Sequence, residues 1–127
     1  MKQARKNHAT CCMDQNLFVF CGCSQNYTFI DSVEVLDLTM MGEWNVLYFA
    51  ELTARMSPAV CPMGHGEVLV MGGIYQGKYH SDAIMLDFEK RIAQRVAESD
   101  VGIGFHCLSS SVLINKNPQV VLSLVQS

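Results

Sequence analysis

Glu67-Val68-Leu69-Val70-Met71-Gly72-Gly73 is the stretch on which the fold turns. Its apolar run is short, unbroken and stopped by two glycines, the pattern of a strand buried on both faces rather than of a helix. Upstream, Leu17-Phe18-Val19-Phe20-Cys21-Gly22-Cys23 has the same character. Working outward from these runs, the chain repeats itself every fifty residues, read without a gap. Arg5 falls on Arg55, Ala9 on Ala59, Cys11 on Cys61, Met13 on Met63, Gly22 on Gly72, Leu36 on Leu86 and Asp37 on Asp87. A fixed period of this size marks a stacked repeat architecture, in which each unit buries an apolar face against the next.

Each repeat reads as four short strands. In the first (residues 5–48), Arg5 to Met13 leads into the polar turn Asp14-Gln15-Asn16 and the apolar run 17–21. A polar loop covers 24–31. Residues 32–38 then alternate polar and apolar side chains, the period of a strand with two different faces. Met41-Gly42-Glu43 turns the chain, and a last strand pattern follows Trp44. The second repeat (55–98) runs the same course: first strand 55–63, turn Gly64-His65-Gly66, second strand 67–73, loop 74–80, third strand 81–88. Pro58 and Pro62 place its first strand away from a central position, because proline donates no ladder hydrogen bond. Its fourth strand is contested. Phe88, Ile92 and Val96 are spaced like an amphipathic helix. The repeat register says strand, and tertiary context overrides propensity. A third repeat begins near Phe105 and occupies 105–127, with strands expected at 107–114 and 119–125 about a turn at 115–118.

Composition excludes several classes. The formal charge is −3, and the Lys2, Arg5 and Lys6 cluster reads as a solvated end, so there is no basic stripe for nucleic acid. No stretch reaches the roughly 18 apolar residues of a membrane helix. The first residues are charged with no apolar region after them, which points to a cytoplasmic, intracellular protein without a leader. The six cysteines then read as reduced, mostly buried thiols.

These residues resemble kelch repeats, and the resemblance extends over nearly the whole chain. The motif carries an arginine and a small residue in its first strand, an apolar second strand ending in two glycines, a Val-Glu-Val-Tyr-Asp-like third strand, and a tryptophan after the next turn. Repeat one supplies Arg5, His8, Ala9, Gly22, Val33, Glu34, Asp37 and Trp44; repeat two supplies Arg55, Ala59, Gly72, Gly73 and Asp87. The chain departs from the pattern at Cys21-Gly22-Cys23, which has one glycine of the pair, at Gln94 in the tryptophan position, and at Leu124 and Val125 where glycines would fall. The resemblance implies an all-β fold: a partial kelch-type β-propeller of four-stranded antiparallel blades. Propellers close with about 4–8 blades. Two blades and the start of a third make an incomplete ring, leaving runs such as 68–71 in need of cover. A longer kelch chain, self-association, or partners in a larger assembly would each supply it; the first and third are favoured.

Catalytic and metal chemistry find little support. His8, Cys11, Cys12, Cys21 and Cys23 lack the C-x₂₋₄-C spacing of a zinc knuckle, so no metal or cofactor is expected. Cys107 with His106, and the serines 109–111, lack a nucleophile elbow. Glu34, Asp37, Asp82 and Asp87 read as strand-end residues satisfying turn amides. The glycines serve sharp turns beside neighbouring backbone. The expectation is therefore a non-enzymatic module that binds protein partners, a scaffold in an intracellular assembly. The resemblance also admits a ubiquitin-ligase substrate receptor and, in another class, a kelch-type enzyme such as a copper radical oxidase or sugar epimerase. By resemblance to ligase-adaptor kelch domains, whose arginines and loop tyrosines contact acidic peptides, the binding candidates are Arg5, Arg55, Tyr27, Tyr75 and Tyr79. The alternative for the two arginines is that they tie blades together.

Overall fold

In the computed structural model, which describes residues 1–40, 42–80, 82–98, 110–114 and 117–121, every regular element is a β-strand. β1 (Ala9–Met13), β2 (Asn16–Phe20), β3 (Val33–Asp37) and β4 (Asn45–Leu47) form one antiparallel sheet in chain order. β5 (Ala59–Gly64) and β6 (Glu67–Met71) open the second sheet. A small hairpin, β7 (Ile74–Tyr75) with β8 (Lys78–Tyr79), projects from it before β9 (Asp82–Asp87) and β10 (Ile92–Glu98) complete the order β5-β6-β9-β10. β11 (Ser110–Ile114) and β12 (Asn117–Val121) pair as a hairpin, with β11 beside β5. Among the described residues the architecture is thus two four-stranded antiparallel blades and a further hairpin, with no closed ring. Pro118 pairs with Leu113 inside that hairpin rather than lying in its turn. The remaining parts of the expected third repeat, including Phe105, His106, Cys107, Ser109, Leu124 and Val125, lie outside the described residues, as do Met41 and Ser81.

β10 resolves the contest between helix and strand. It pairs with β9 through Ile92–Asp87, Ala93–Leu86, Gln94–Met85 and Arg95–Ile84, with a bulge between Arg95 and Ala97. Ile92 and Val96, the residues of the helical stripe, are about half exposed at 52% and 50%, while Ala93 is buried. Pairing with a buried neighbouring strand outweighs the weak helical preference of the segment. Pro62 sits in β5, an edge of its sheet, where a missing amide is tolerated.

The fifty-residue period is not gapless. β2 and β6 correspond with a shift of fifty-one, while the strands on either side keep fifty: Asn16 faces Asp37 in the first blade, and Glu67 faces Asp87 in the second. An extra residue enters the 64–66 turn, marked by the irregular register between Pro62 and Gly64, and the following loop is one residue shorter. Gly22 therefore matches Gly73 rather than Gly72, and Cys21 holds the place of the first glycine. The backbone agrees. Cys21 and Gly72 have φ of 55° and 63°, Gly22 and Gly73 have φ of 94° and 102°. Cys21 N–H donates to Ser32 O as Gly72 N–H donates to Asp82 O.

The core lies between the blades. Alternation sends Phe18, Phe20 and Val33 of the first blade against Val68, Val70, Ile84 and Leu86 of the second, with Phe49 and Leu52 of the connector closing the gap. Phe88 packs on Phe18 at 4.5 Å between ring centres. Each such side chain contributes about 1.5–3 kcal/mol through burial. The opposite face of β6 buries Leu69 and Met71 with Ala59, Cys61 and Ala83. The 68–71 run, expected to need cover, is thus buried on both faces. Among the described residues, backbone bonds stitch the blades, from Gly22 N–H to Arg55 O at 2.8 Å and from Ser57 N–H to Asn7 O at 2.7 Å.

Gly73 combines positive φ with close approach, since a Cβ there would lie 2.9 Å from Met56 O. Gly77 has φ of 78° but open space around it. Gly73→Ala is expected to cost about 1–3 kcal/mol or more, and Gly77→Ala measurably less. Urea unfolding midpoints of the two variants check this order.

Candidate functional site

The two motif arginines point inward. Both precede the first strand of their blade, where the chain passes the turn that ends the second strand. Arg5 Nη1 donates to Cys21 O (3.0 Å) and Ser32 O (2.9 Å), and Nη2 donates to Ser32 Oγ (3.1 Å) and Glu34 Oε2 (2.7 Å). Arg55 Nη1 donates to Gly72 O (2.9 Å) and Asp82 Oδ1 (2.7 Å); Nη2 donates to Asp82 Oδ2 (3.1 Å) and Thr53 Oγ1 (2.6 Å). The Arg5 and Arg55 side chains are fully buried. Each guanidinium ties the blade's leading segment to the turn after its second strand and to its third strand. These two candidate residues therefore sit beneath the loop face as struts.

The acid partner changes place between blades. Glu34 corresponds to Ile84, and Asp82 to Ser32. Positions two apart on a strand share a face, so a longer acid at one position and a shorter one at the other reach the same guanidinium. Glu34 and Asp82 are thus ion-pair partners, a correction to their reading as turn residues. Asp37 and Asp87 do fill that role. Asp37 Oδ1 accepts from Thr39 Oγ1 and from the amides of Thr39 and Met40, and Asp87 Oδ1 accepts from the amides of Glu89 and Lys90. Bonds from Thr39 hold the Asp37 carboxyl below its ordinary value. Trp44 is half-buried at the entry to β4.

The tyrosines occupy the surface above the struts. Tyr27 is 61% exposed, Tyr75 38% and Tyr79 61%. Lys6 and Cys23 form a β-bridge, as do Met56 and Ile74, so the lead-in to each blade and the loop after its second strand emerge together. Lys6 Nζ lies 3.8 Å from the centre of the Tyr27 ring, a cation–π contact. Phe29 meets Tyr75 edge-on at 4.9 Å, joining the loops of the two blades.

Tyr75, Lys78, Tyr79, His80, Asp82 and Arg95 line a depression of about 460 Å³ on this face. Burial pushes His80 below its ordinary value, reinforced by the charges of Arg55 and Arg95 and opposed by Asp82. Burial alone would raise Asp82, but its hydrogen bonds and charge pairing with Arg55 outweigh that and hold the carboxyl below its ordinary value. Lys78, His80 and Arg95 were not binding candidates in the sequence. A usable signal was present: His80 replaces Ile30 at fifty-residue spacing.

Two of the thiols are held protonated by their surroundings. Burial pushes Cys11 and Cys21 up to about 12, which leaves almost no thiolate at neutral pH. Among the described residues, no three His, Cys, Asp or Glu side chains converge to hold a metal ion, and no helix is long and apolar enough to cross a membrane. His65 is exposed in its turn.

Residues 4–47 match the Kelch motif family. The match runs from the lead-in that carries Arg5 to the end of β4, the extent of the first blade. The resemblance read from the residues is therefore shown there. No curated protein matches the chain.

Breaking a strut leaves a buried ion without its counterion, which costs about 3–5 kcal/mol. Asp82→Asn and Arg55→Met are each expected to lose stability on that scale, and a double change of Arg55→Met with Asp82→Leu to recover much of the loss. Urea unfolding measures all three. The pH response has two parts. Both His80 and Asp82 are depressed, so the unfolded chain binds more protons and stability falls on acidification. The His80 share is lost as pH drops below about 6.5, the Asp82 share below about 4. Unfolding midpoints from pH 7.5 to 3 should show the first step absent in His80→Ile.

Proposed function

We propose that this kelch-motif chain is a non-catalytic protein-interaction module that presents the loop face of its blades to a protein partner, as a scaffold component of an intracellular assembly. The observation that carries the reading is the cluster of exposed Tyr27, Tyr75 and Tyr79 on loops anchored by the two buried arginines. Tyrosine offers large contact area with few rotors and is enriched at binding hot spots. Loops set on a rigid frame are where binding residues concentrate, and Phe29 against Tyr75 braces the two loops. A kelch motif is in keeping with a protein-interaction repeat domain. Cys11 and Cys21, whose pKa burial raises, are poor nucleophiles at neutral pH.

The triple substitution Tyr27→Ala, Tyr75→Ala and Tyr79→Ala should keep the fold and lower its stability by the loss of the Phe29–Tyr75 and Lys6–Tyr27 ring contacts, each about 0.5–1.5 kcal/mol. It should abolish recovery of the partners that the unaltered chain cross-links in cell extract. A partner set that survives all three substitutions contradicts the reading.

A further inference from the structure

We propose that an opening along β4, at the outer edge of the seam between the blades, binds a small amphipathic anion: an apolar body that carries one negative head group. The opening shares no residue with the depression beneath the tyrosines. The inference goes beyond the protein-binding reading and does not rest on it.

The apolar part follows from how the blades meet. Phe88 begins the turn between β9 and β10, where the first blade has Leu38. It leans across the seam onto Phe18, Phe20 and Phe49, with ring centres at 4.5, 6.2 and 5.3 Å. β4 has three residues against seven in β10, so the outer strand of the first blade stops early and the inter-blade core comes to the surface beside it. Val35, Leu47 and Phe88 are half-buried there, and with buried Phe18 they floor an opening of about 610 Å³. Small-molecule sites are concave, about 300–1,000 Å³, with an apolar lining and a few placed polar groups.

The charged part lies on the rim and has one sign. Lys2 and Arg91 line the opening with exposed side chains. Among the described residues, neither the Lys2 ammonium nor the Arg91 guanidinium has an ion pair or hydrogen bond, and the exposed Asn45 carboxamide has no partner either. No carboxylate lines the opening among the described residues. Glu34, opposite Val46 in the sheet, is fully buried and paired with Arg5 at 2.7 Å, so its charge is matched inside the blade. Two unpaired cations beside an apolar surface attract an anion, and the apolar floor strengthens that attraction by excluding water.

The second blade supplies the comparison. In its paired strands Glu67 stands for Asn16, Met85 for Val35 and Gln94 for Asn45. These residues line a depression of about 270 Å³ together with Asp87 and Lys90. Glu67 and Asp87 pair directly across the strands there, which gives two carboxylates against one lysine. The strands thus accept an acidic lining at this place, and the acid-free, cationic lining of the first blade is not demanded by the fold.

The test is a titration of the isotopically labelled chain with naphthoate, naphthamide and acetate, followed by the NMR signals of Val35, Leu47 and Phe88. Naphthoate should give saturable shifts at these residues. Naphthamide lacks the charge and acetate lacks the apolar body, and each should bind at least about fivefold more weakly. Lys2→Gln with Arg91→Gln should weaken naphthoate binding about fivefold or more, the loss of two exposed charge contacts. Both changes are at the surface and keep the fold. Lys78→Gln, on the tyrosine face, should leave naphthoate binding unchanged. The inference is overturned if naphthoate does not saturate, if its shifts centre on Tyr75, Tyr79 and His80, if naphthamide or acetate binds as well, or if the double glutamine variant binds undiminished. Partner recovery through the tyrosines is measured separately, so either reading can fail while the other stands.

Discussion

The structure depends on a guanidinium buried at the head of each blade. An ion placed inside a protein must be matched by acceptors in good geometry, or it is expelled or neutralised. Arg55 meets that demand with the turn carbonyl of Gly72, both oxygens of Asp82, and Thr53. Arg5 meets it at both Nη atoms with Cys21, Ser32 and Glu34, while its buried Nε finds no hydrogen-bond partner among the described residues. Because the acceptors come from separated segments, the charge fixes how those segments meet. It holds the turn after the second strand against the third strand and against the chain entering the blade. The positive φ values at Cys21, Gly22, Gly72 and Gly73 are sustained by this arrangement, since backbone strain persists where the surroundings over-determine it.

That constraint separates framework from surface. Directly above the struts, the 24–31 and 74–80 loops carry their aromatic groups outward, and their bases cannot drift. Beneath them, the inter-blade core and the Gly22–Arg55 and Asn7–Ser57 backbone bonds hold the two sheets together. The two blades differ at this edge, with His80, Tyr79 and Arg95 of the second in the places of Ile30, Phe29 and Val46 of the first. A repeat protein can diversify in this way because each unit needs its neighbours' apolar faces and its own strut, while the loop edge is left open to change.

Much of the fold was legible in the sequence because it rests on periodic features. Alternation in 33–37, the apolar run of 67–71 and the recurrence of Arg5 as Arg55 are enough to yield two antiparallel blades. The register rule also outweighed the helical spacing of Phe88, Ile92 and Val96, since β9 pairs with β10 on both sides of a single bulge. What the sequence hid was compensated change. An insertion in the 64–66 turn is cancelled by a shorter loop, so the fifty-residue count looks continuous although β6 is displaced by one. The site was less legible. An exposed tyrosine in a loop can be anticipated from composition, but the direction of an arginine depends on an acid that moves between two positions of the same strand face. Glu34 and Asp82 occupy different places in the two repeats, and their shared function appears only once the strands are paired. The depression at His80 was hidden for the same reason: its lining is drawn from β7, β8, β9 and β10.

The central claim is that the arginines are internal struts and that recognition takes place above them. The guanidinium NMR signals of Arg5 and Arg55 test it most directly. Nη protons locked to carbonyl and carboxylate acceptors give separate, slowly exchanging resonances, and these should remain in place when the tyrosine face is occupied. Averaged resonances that exchange rapidly with water, or resonances that move first and furthest on partner binding, would contradict the account.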